Sequence, residues 1–329
     1  MGATFVMSYP AADWHVAAGL NRRSASAKGT DSSPRDALRE WMSVADSILR
    51  AGGRIIVLDP PKGGGAGLVY AADWGAVVRR NDQALFLAAT GAGHRASDAE
   101  PVRALFTDAG VEVATVPMAW GGRGDLLQAG PGRYLYVAGA RTAPGAAQHV
   151  AHELGTVARF LEARVAAPFE FGDEIATMLT NRAGDSVMLV HEAGLAGRTL
   201  PEIRAAFNKV DVISVDAEDV EAGACTALDV NGTVILPPGL STAIRGHLVR
   251  RGFQTVELEL PQLFVRGGGG PHALVNELIG FVMGTGAPDY TRARDRIAAL
   301  VDTYPERVEP AAPAAPPAPA TPVAPATSA

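Results

Sequence analysis

Residues 266–278 read Arg266-Gly-Gly-Gly-Gly-Pro-His-Ala-Leu-Val-Asn-Glu-Leu278, a run of four glycines that leads into a short apolar segment. This run lacks the Lys-Ser/Thr pair of a P-loop, and so does the run from Gly63 to Gly65. Neither has the strand–helix context of a dinucleotide site. We interpret both runs as backbone that turns closely. We expect Leu274-Val275 to form a last strand that pairs near Phe5-Val6-Met7 from the start of the chain.

Between these two ends the sequence repeats a pattern with a period of roughly 50 residues. Each unit has an apolar strand, a tight turn, a second apolar strand, an amphipathic helix and an alternating strand. The turn at Asn231-Gly232 is the clearest, because this dipeptide readily adopts the positive φ angles of a two-residue hairpin. The predicted hairpins span residues 77–87, 126–137, 178–190 and 227–236.

The predicted helices lie between these hairpins. One begins at Ser33-Pro34, carries Leu38, Trp41 and other apolar residues on a single face, and ends at Gly52-Gly53. It follows a polar segment, Arg22 to Ser33, that we predict to be a loop. Further helices are predicted at residues 98–109, 143–162, 200–208 and 240–251, and short strands at residues 55–58, 111–113, 212–215 and 256–260.

Composition and charge limit the classes of function. With 47% hydrophobic and 19% charged residues, the 329-residue chain can bury a substantial core. A formal net charge of −6 and the lack of a Lys/Arg cluster argue against a nucleic-acid partner. No apolar run reaches the roughly 20 residues of a membrane span, and residues 1–20 do not resemble a signal peptide. The single cysteine, Cys225, is typical of a reducing compartment, so we expect a cytoplasmic protein without membrane contact.

The composition changes near the end of the chain. From Glu306 onward the sequence is rich in Pro and Ala and has no periodic apolar face. Such a segment is typical of an extended, disordered appendage. We therefore predict one folded domain over residues 1–305 and a disordered tail over residues 306–329.

Several segments, in this order, resemble the penteins, the guanidino-group-modifying superfamily of amidinotransferases, dimethylargininases and arginine deiminases. They are Phe5 to Pro10 with Asn21 further on, Ile55 to Pro60, Cys225 to Pro237, and the glycine-rich segment quoted above. The resemblance covers about residues 4–285. It implies an α/β fold: a five-bladed propeller of ββαβ units around a pseudo-fivefold axis, with the active site in the central channel.

The same resemblance implies where catalytic residues should lie. Guanidino chemistry of this kind needs a nucleophilic thiolate, a histidine that transfers protons, and carboxylates that hold the planar cation. In this sequence the family's cysteine position is Ala273 and its histidine position is Phe171, while its two carboxylate positions are Gly67 and Gly121. Two supporting acids are retained, Asp173 and Asp125.

Four losses of this kind indicate a site that no longer performs guanidino chemistry, since removing the nucleophile alone costs on the order of a million-fold in turnover. We therefore interpret the chain as a catalytically inactive homologue that binds a small-molecule ligand or a protein partner. One alternative is an enzyme of altered guanidino- or amide-type chemistry that uses Asp125, Asp173 and His272. Another is a regulatory subunit that pairs with an active paralogue. A homo-oligomer is also compatible with the sequence.

The ligand-binding candidates are His272, Asp173, Asp125, Trp120 and Phe171. The large side chains of Trp120 and Phe171 could line an open channel. Alternatively, Phe171 and its neighbours could fill the space that the lost residues leave.

Two further candidates for chemistry lie elsewhere in the sequence. His149 and His152 are spaced for a metal on a helix, but no third ligand is evident, so we predict neither a metal nor a cofactor. Cys225 could act as a displaced nucleophile, although a small buried residue is the simpler interpretation.

Overall fold

The structure is a computed structural model that describes residues 3–17, 21–26, 32–61, 67–80, 83–90, 99–130, 132–155, 158–279 and 288–308. The glycine run from Gly63 to Gly65 and most of the predicted Pro/Ala tail lie outside these residues. The strands are β1 Thr4–Ser8, β2 Arg54–Leu58, β3 Gly75–Arg80, β4 Gln83–Ala88, β5 Glu112–Thr115, β6 Leu126–Gln128, β7 Arg133–Ala138, β8 Arg159–Val165, β9 Ala176–Thr180, β10 Ser186–Val190, β11 Leu195–Ala196, β12 Asp211–Ser214, β13 Leu228–Val230, β14 Thr233–Leu236, β15 Gln254–Glu257 and β16 Asn276–Glu277. The helices are α1 Arg22–Ser26, α2 Pro34–Arg50, α3 Ala99–Asp108, α4 Ala146–Leu154, α5 Leu200–Ala206, α6 Ala217–Glu221, α7 Thr242–Arg250 and α8 Tyr290–Leu300.

In the described residues the strands form five small sheets of one repeated design. The strand orders are β16-β1-β2, β3-β4-β5, β6-β7-β8-β11, β9-β10-β12 and β13-β14-β15. In every sheet an antiparallel pair continues into a parallel neighbour. We call β3, β6, β9, β13 and β16 the inner strands, because each lies at one edge of its sheet and all five line a shared cavity described below. The predicted α/β class and ββαβ repeat are confirmed.

The first and the last strands of the structure, β1 and β16, pair in one sheet. β1 pairs with β16 through Phe5↔Glu277 and Val6↔Asn276. The pairing begins at Asn276, directly after the predicted Leu274-Val275, because the backbone turns at residues 271–274, where Ala273 N donates to Gly270 O at 3.0 Å. The strong hairpin signal is confirmed: Asn231 and Gly232 have φ angles of 51° and 80° between β13 and β14.

Two predicted segments differ from the structure. The helix predicted over residues 143–162 is wrong in its second half, since α4 ends at Leu154 and β8 begins at Arg159. Gly155 follows α4 with a φ angle of 83°, a conformation that favours glycine and ends the helix. Part of the loop predicted over residues 22–33 is also helical, because α1 spans Arg22–Ser26.

Helix α2 covers the sheet formed by β16, β1 and β2. It begins as predicted at Pro34, with Ser33 Oγ accepting from Asp36 N at 3.1 Å. Its Trp41 is fully buried between the rings of Tyr9 and Tyr290, with centroids 5.9 and 5.5 Å away in edge-to-face geometry. The contact with Tyr290 joins α8 to α2 and to the core.

The described part of the chain continues three residues beyond the predicted domain boundary at residue 305. Ser32 and Val308 form an isolated β-bridge, and Arg35 Nη1 lies 2.7 Å from Glu306 Oε1. None of the helices in the described residues is both long enough and apolar enough to cross a membrane.

Candidate functional site

Short turns precede the inner strands and converge at one end of the sheets. They lie at Ala71–Trp74 before β3, Gly122–Gly124 before β6, Gly172–Glu174 before β9, Ala224–Thr226 before β13 and residues 271–274 before β16. Backbone hydrogen bonds connect turns that are far apart in sequence: Ala72 N donates to Ala273 O, and His272 N donates to Thr226 O, both at 3.0 Å. The repeat therefore places equivalent turns from different units side by side.

These turns enclose a cavity of about 60 Å³, here named the upper cavity. Three of the family positions predicted from the sequence, Gly67, Phe171 and Ala273, line it together, and so does the retained acid Asp173. Residues separated by up to about 200 positions in the sequence thus form one site, as the resemblance implies.

The glycine run is required by close packing around this cavity. A Cβ atom on Gly270 would lie 2.2 Å from Thr226 Oγ1, and one on Gly269 would lie 2.4 Å from the ring of Tyr70. Both distances are far below a normal contact, so a side chain at either position would force its neighbours to move. The prediction that these glycines let the backbone turn closely is consistent with this geometry.

Aromatic rings occupy much of the space around the upper cavity. Tyr70 is held by its hydroxyl, which donates to Leu263 O at 3.1 Å. The Arg141 guanidinium lies 4.9 Å from the centroid of the Phe171 ring and 2.6 Å from Glu170 Oε2. The cavity volume of about 60 Å³ is small, since small-molecule sites usually exceed about 300 Å³.

Asp173 connects the upper cavity to His272. Asp173 Oδ2 lies 3.3 Å from His272 Nδ1, and both side chains are about 90% buried. Burial, together with the nearby charge of Asp73, raises the pKa of Asp173 to about 7. Burial and the positive charge of Arg123 hold the pKa of His272 well below its usual range, so the imidazole is neutral at pH 7. His272 does not line the upper cavity but faces a second one on the other side of this contact.

The other predicted candidates lie outside the upper cavity. Asp125 is fully buried and accepts hydrogen bonds from Gly121 N at 2.8 Å, Gly139 N at 3.2 Å and the Thr142 hydroxyl. Burial raises its pKa to about 7. Trp120 packs in the core and donates from Nε1 to Ala88 O at 3.4 Å.

Gly121, aligned from the sequence with a family carboxylate, has no room for a side chain. A Cβ atom there would lie 2.5 Å from Asp125 Oδ1. Asp125, Trp120 and Gly121 therefore support the turn before β6 and do not contribute to the lining of the upper cavity.

Asp73, Arg141 and Glu174 also line the upper cavity, and none of them is among the candidates predicted from the sequence. Asp73 ends the segment that begins at Gly67, and Glu174 follows the retained Asp173, so their places in the repeat were the available signal. Arg141 lies in an irregular segment between β7 and α4, where the sequence has no comparable pattern.

The alternative nucleophile and metal ligands lie away from the cavity. Cys225 is fully buried, burial raises the pKa of its thiol, and it does not line the upper cavity. In the described ranges no group of three or more His, Cys, Asp or Glu residues is placed to hold a metal ion.

Comparison with known proteins gives matches at the level of structure only. No protein-family model and no curated protein matches the sequence. The N-terminal domain of ArgZ, an arginine dihydrolase of the cyanobacterial ornithine–ammonia cycle solved with a covalently bound reaction intermediate, matches with a TM-score of 0.72 and 20% identity. The match covers 84% of this chain and 97% of that domain.

Two further solved structures show the same likeness. AgrE, solved with ornithine and NAD+, matches with a TM-score of 0.72 and 21% identity over 87% of this chain, which spans only 40% of AgrE. A dimethylarginine dimethylaminohydrolase matches with a TM-score of 0.61 and 16% identity over 84% of this chain and the full length of that one. At these identities the likeness shows the fold, so the resemblance to penteins is confirmed at that level.

Proposed function

We propose that this chain is a pentein that has lost guanidino-modifying chemistry and acts by binding a ligand or a protein partner. The observation that carries the proposal is that Ala273, Phe171 and Gly67 line one cavity. These are the positions where the family resemblance implies a nucleophile, a proton-transfer group and a carboxylate. A methyl group, a phenyl ring and a glycine supply none of these functions.

The arrangement of the sheets supports a matching proposal for the architecture. Each of the five sheets contributes its inner strand to one shared cavity, and equivalent turns precede those strands. We infer five blades around a pseudo-fivefold axis, with both cavities on that axis.

The small volume of the upper cavity favours a partner that contacts the outside of the protein. At about 60 Å³ the cavity is far smaller than the roughly 300 Å³ of small-molecule sites, and Phe171 and Tyr70 line it together with Ala273. Of the two possibilities derived from the sequence, collapse of the vacated site agrees better with this geometry. A ligand that does enter must be small and flat.

A second candidate function is altered chemistry, and one observation favours it. Asp173 lines the upper cavity with a pKa of about 7, which suits a general acid or base at neutral pH. Asp125, the other acid named for this alternative, lies outside the cavity.

An activity assay separates the two candidates. Purified protein incubated with arginine, methylated arginines or agmatine should release no citrulline or ornithine above a protein-free control. Turnover that disappears in Asp173→Asn but persists in Asp302→Asn, an exposed control, would refute the binding proposal and establish altered chemistry.

A second experiment tests whether the site is collapsed. The double variant Phe171→His, Ala273→Cys is made in a Cys225→Ala background, so that only the new thiol can react. We expect this thiol to resist a guanidine-like affinity label, such as a chloroacetamidine, until the protein is unfolded by urea. Rapid labelling of the folded protein would show an open site and refute the collapse.

A further inference from the structure

A second and larger cavity lies on the other side of the Asp173–His272 contact. Its volume is about 380 Å³, and we name it the lower cavity. All five inner strands line it, and the hairpin residues Gly130 and Gly184 lie at its rim. Eight side chains with polar atoms contribute to its wall: Arg123, Gln128, Tyr134, Thr180, Ser186, Asp229, His272 and Glu277.

The charges on this wall do not balance. Arg123 Nη2 lies 3.3 Å from Glu277 Oε2, and this guanidinium also donates to His272 O at 3.3 Å. Asp229 adds a second acid close enough to Glu277 for their negative charges to repel. His272 is neutral, because burial and Arg123 disfavour its protonation. Above the pKa of Asp229, which burial raises to about 6, the wall therefore carries one net negative charge.

One acid on this wall keeps an oxygen for a ligand. Glu277 uses Oε2 for its contact with Arg123, and among the described contacts no donor reaches Oε1. Asp229 accepts from Thr180 N at 3.0 Å and from Gly232 N at 2.9 Å, which holds its carboxyl group in place on the same wall. A charged N–H donor that enters the cavity would therefore form a charge-assisted hydrogen bond with Glu277.

From this geometry we propose that the lower cavity is a second binding site, which takes a small organic cation bearing an ammonium group. Its volume lies within the roughly 300–1,000 Å³ of small-molecule sites, and the ammonium supplies three donors and the missing positive charge. This site is separate from the proposed function, which concerns the upper cavity and the outer surface.

Titration of the folded protein with matched probes tests the class of ligand. Butylammonium, putrescine, butanoate and butanol are compared by calorimetry at constant low ionic strength, with backbone amide shifts recorded by NMR. We expect saturable binding of the ammonium probes, with shifts that concentrate on β6, β9 and β16. Equal or tighter binding of butanoate, or no binding of any probe up to about 10 mM, would overturn the inference.

Single-charge variants then locate the bound probe. Glu277→Gln keeps the side-chain shape and should weaken butylammonium binding at least about tenfold, since one charge-assisted contact is lost. Glu259→Gln, which removes an exposed acid after β15, should leave the affinity unchanged, and Asp73→Asn, which removes an acid of the upper cavity, should change it less than Glu277→Gln does. A loss in Asp73→Asn but not in Glu277→Gln would place the probe in the upper cavity and refute the proposal. Thermal unfolding of each variant checks that it is folded.

Discussion

Replacement of Asp125 tests whether this retained acid supports the fold, as its position indicates. The carboxylate is fully buried and is the acceptor for two backbone N–H groups, Gly121 and Gly139, and for the Thr142 hydroxyl. Asp125→Ala leaves three buried donors without a partner, and each costs about 1–3 kcal/mol. We expect a loss of about 3–5 kcal/mol in the free energy of unfolding at pH 7, close to that for breaking a buried charged network.

The pH dependence of the free energy of unfolding gives a sharper test of the role of Asp125. Burial raises the pKa of Asp125 from an ordinary value of 3.8 to about 7. Between these two values the folded carboxyl holds a proton that the unfolded one has released. The free energy of unfolding therefore rises as pH falls through this window, by about 2 kcal/mol between pH 8 and 5.5 for this group. Asp125→Asn, which carries no titrating proton, should lack that increment.

Urea unfolding of both proteins at pH 8 and pH 5.5 measures this difference. The other buried groups titrate in both proteins, so their contributions largely cancel when the two pH dependences are subtracted. Asp302→Asn, which removes an exposed acid, serves as the control. Its free energy of unfolding should change between pH 8 and pH 5.5 by the same amount as that of the unmodified protein. If the free energy of unfolding of Asp125→Asn changes with pH as much as that of the unmodified protein, the Asp125 carboxyl is ionised throughout this pH range. The argument from burial then fails.

Two further predictions concern the upper cavity and its glycine run. Arginine should bind more weakly than millimolar, because the cavity measures about 60 Å³ and two acids on its wall, Asp173 and Glu174, already contact His272 and Arg22; micromolar affinity by calorimetry would contradict this description of the site. Gly270→Ala should lower stability by about 1–3 kcal/mol, since the new Cβ would lie 2.2 Å from Thr226 Oγ1. Gly246→Ala, inside α7 and with its nearest neighbour 3.4 Å from the new Cβ, should instead raise stability by about 0.5–1 kcal/mol, and calorimetric unfolding of both variants checks the contrast.

Elements determined by local sequence could be predicted from the sequence, and those determined by long-range packing could not. The Asn231-Gly232 turn and the start of α2 at Ser33-Pro34 depend on a few neighbouring residues, and both are confirmed. The end of α4 was missed because residues 155–162 continue a plausible helical pattern. Parallel pairing of β8 with β7, a contact between segments more than 20 residues apart, makes part of that segment a strand.

The same distinction between what could and what could not be predicted applies to the site. The resemblance to penteins assigned Gly67, Phe171, Asp173 and Ala273 to one channel, and in the structure all four line the upper cavity. The sequence could not show which neighbouring side chain faces which cavity. His272 directly precedes Ala273, and from the sequence both are assigned to one channel.

Because His272 and Ala273 face different cavities, Asp173 can connect the two cavities. Ala273 lines the upper cavity and His272 the lower one, with Asp173 facing the upper cavity and contacting the imidazole at 3.3 Å. An Asp173 that holds a proton near neutral pH can donate it to the neutral imidazole, whereas an ionised Asp173 must accept from it. A bound cation in the lower cavity would favour the ionised carboxylate. Occupancy of the lower cavity should therefore change the protonation of Asp173, which lines the upper one.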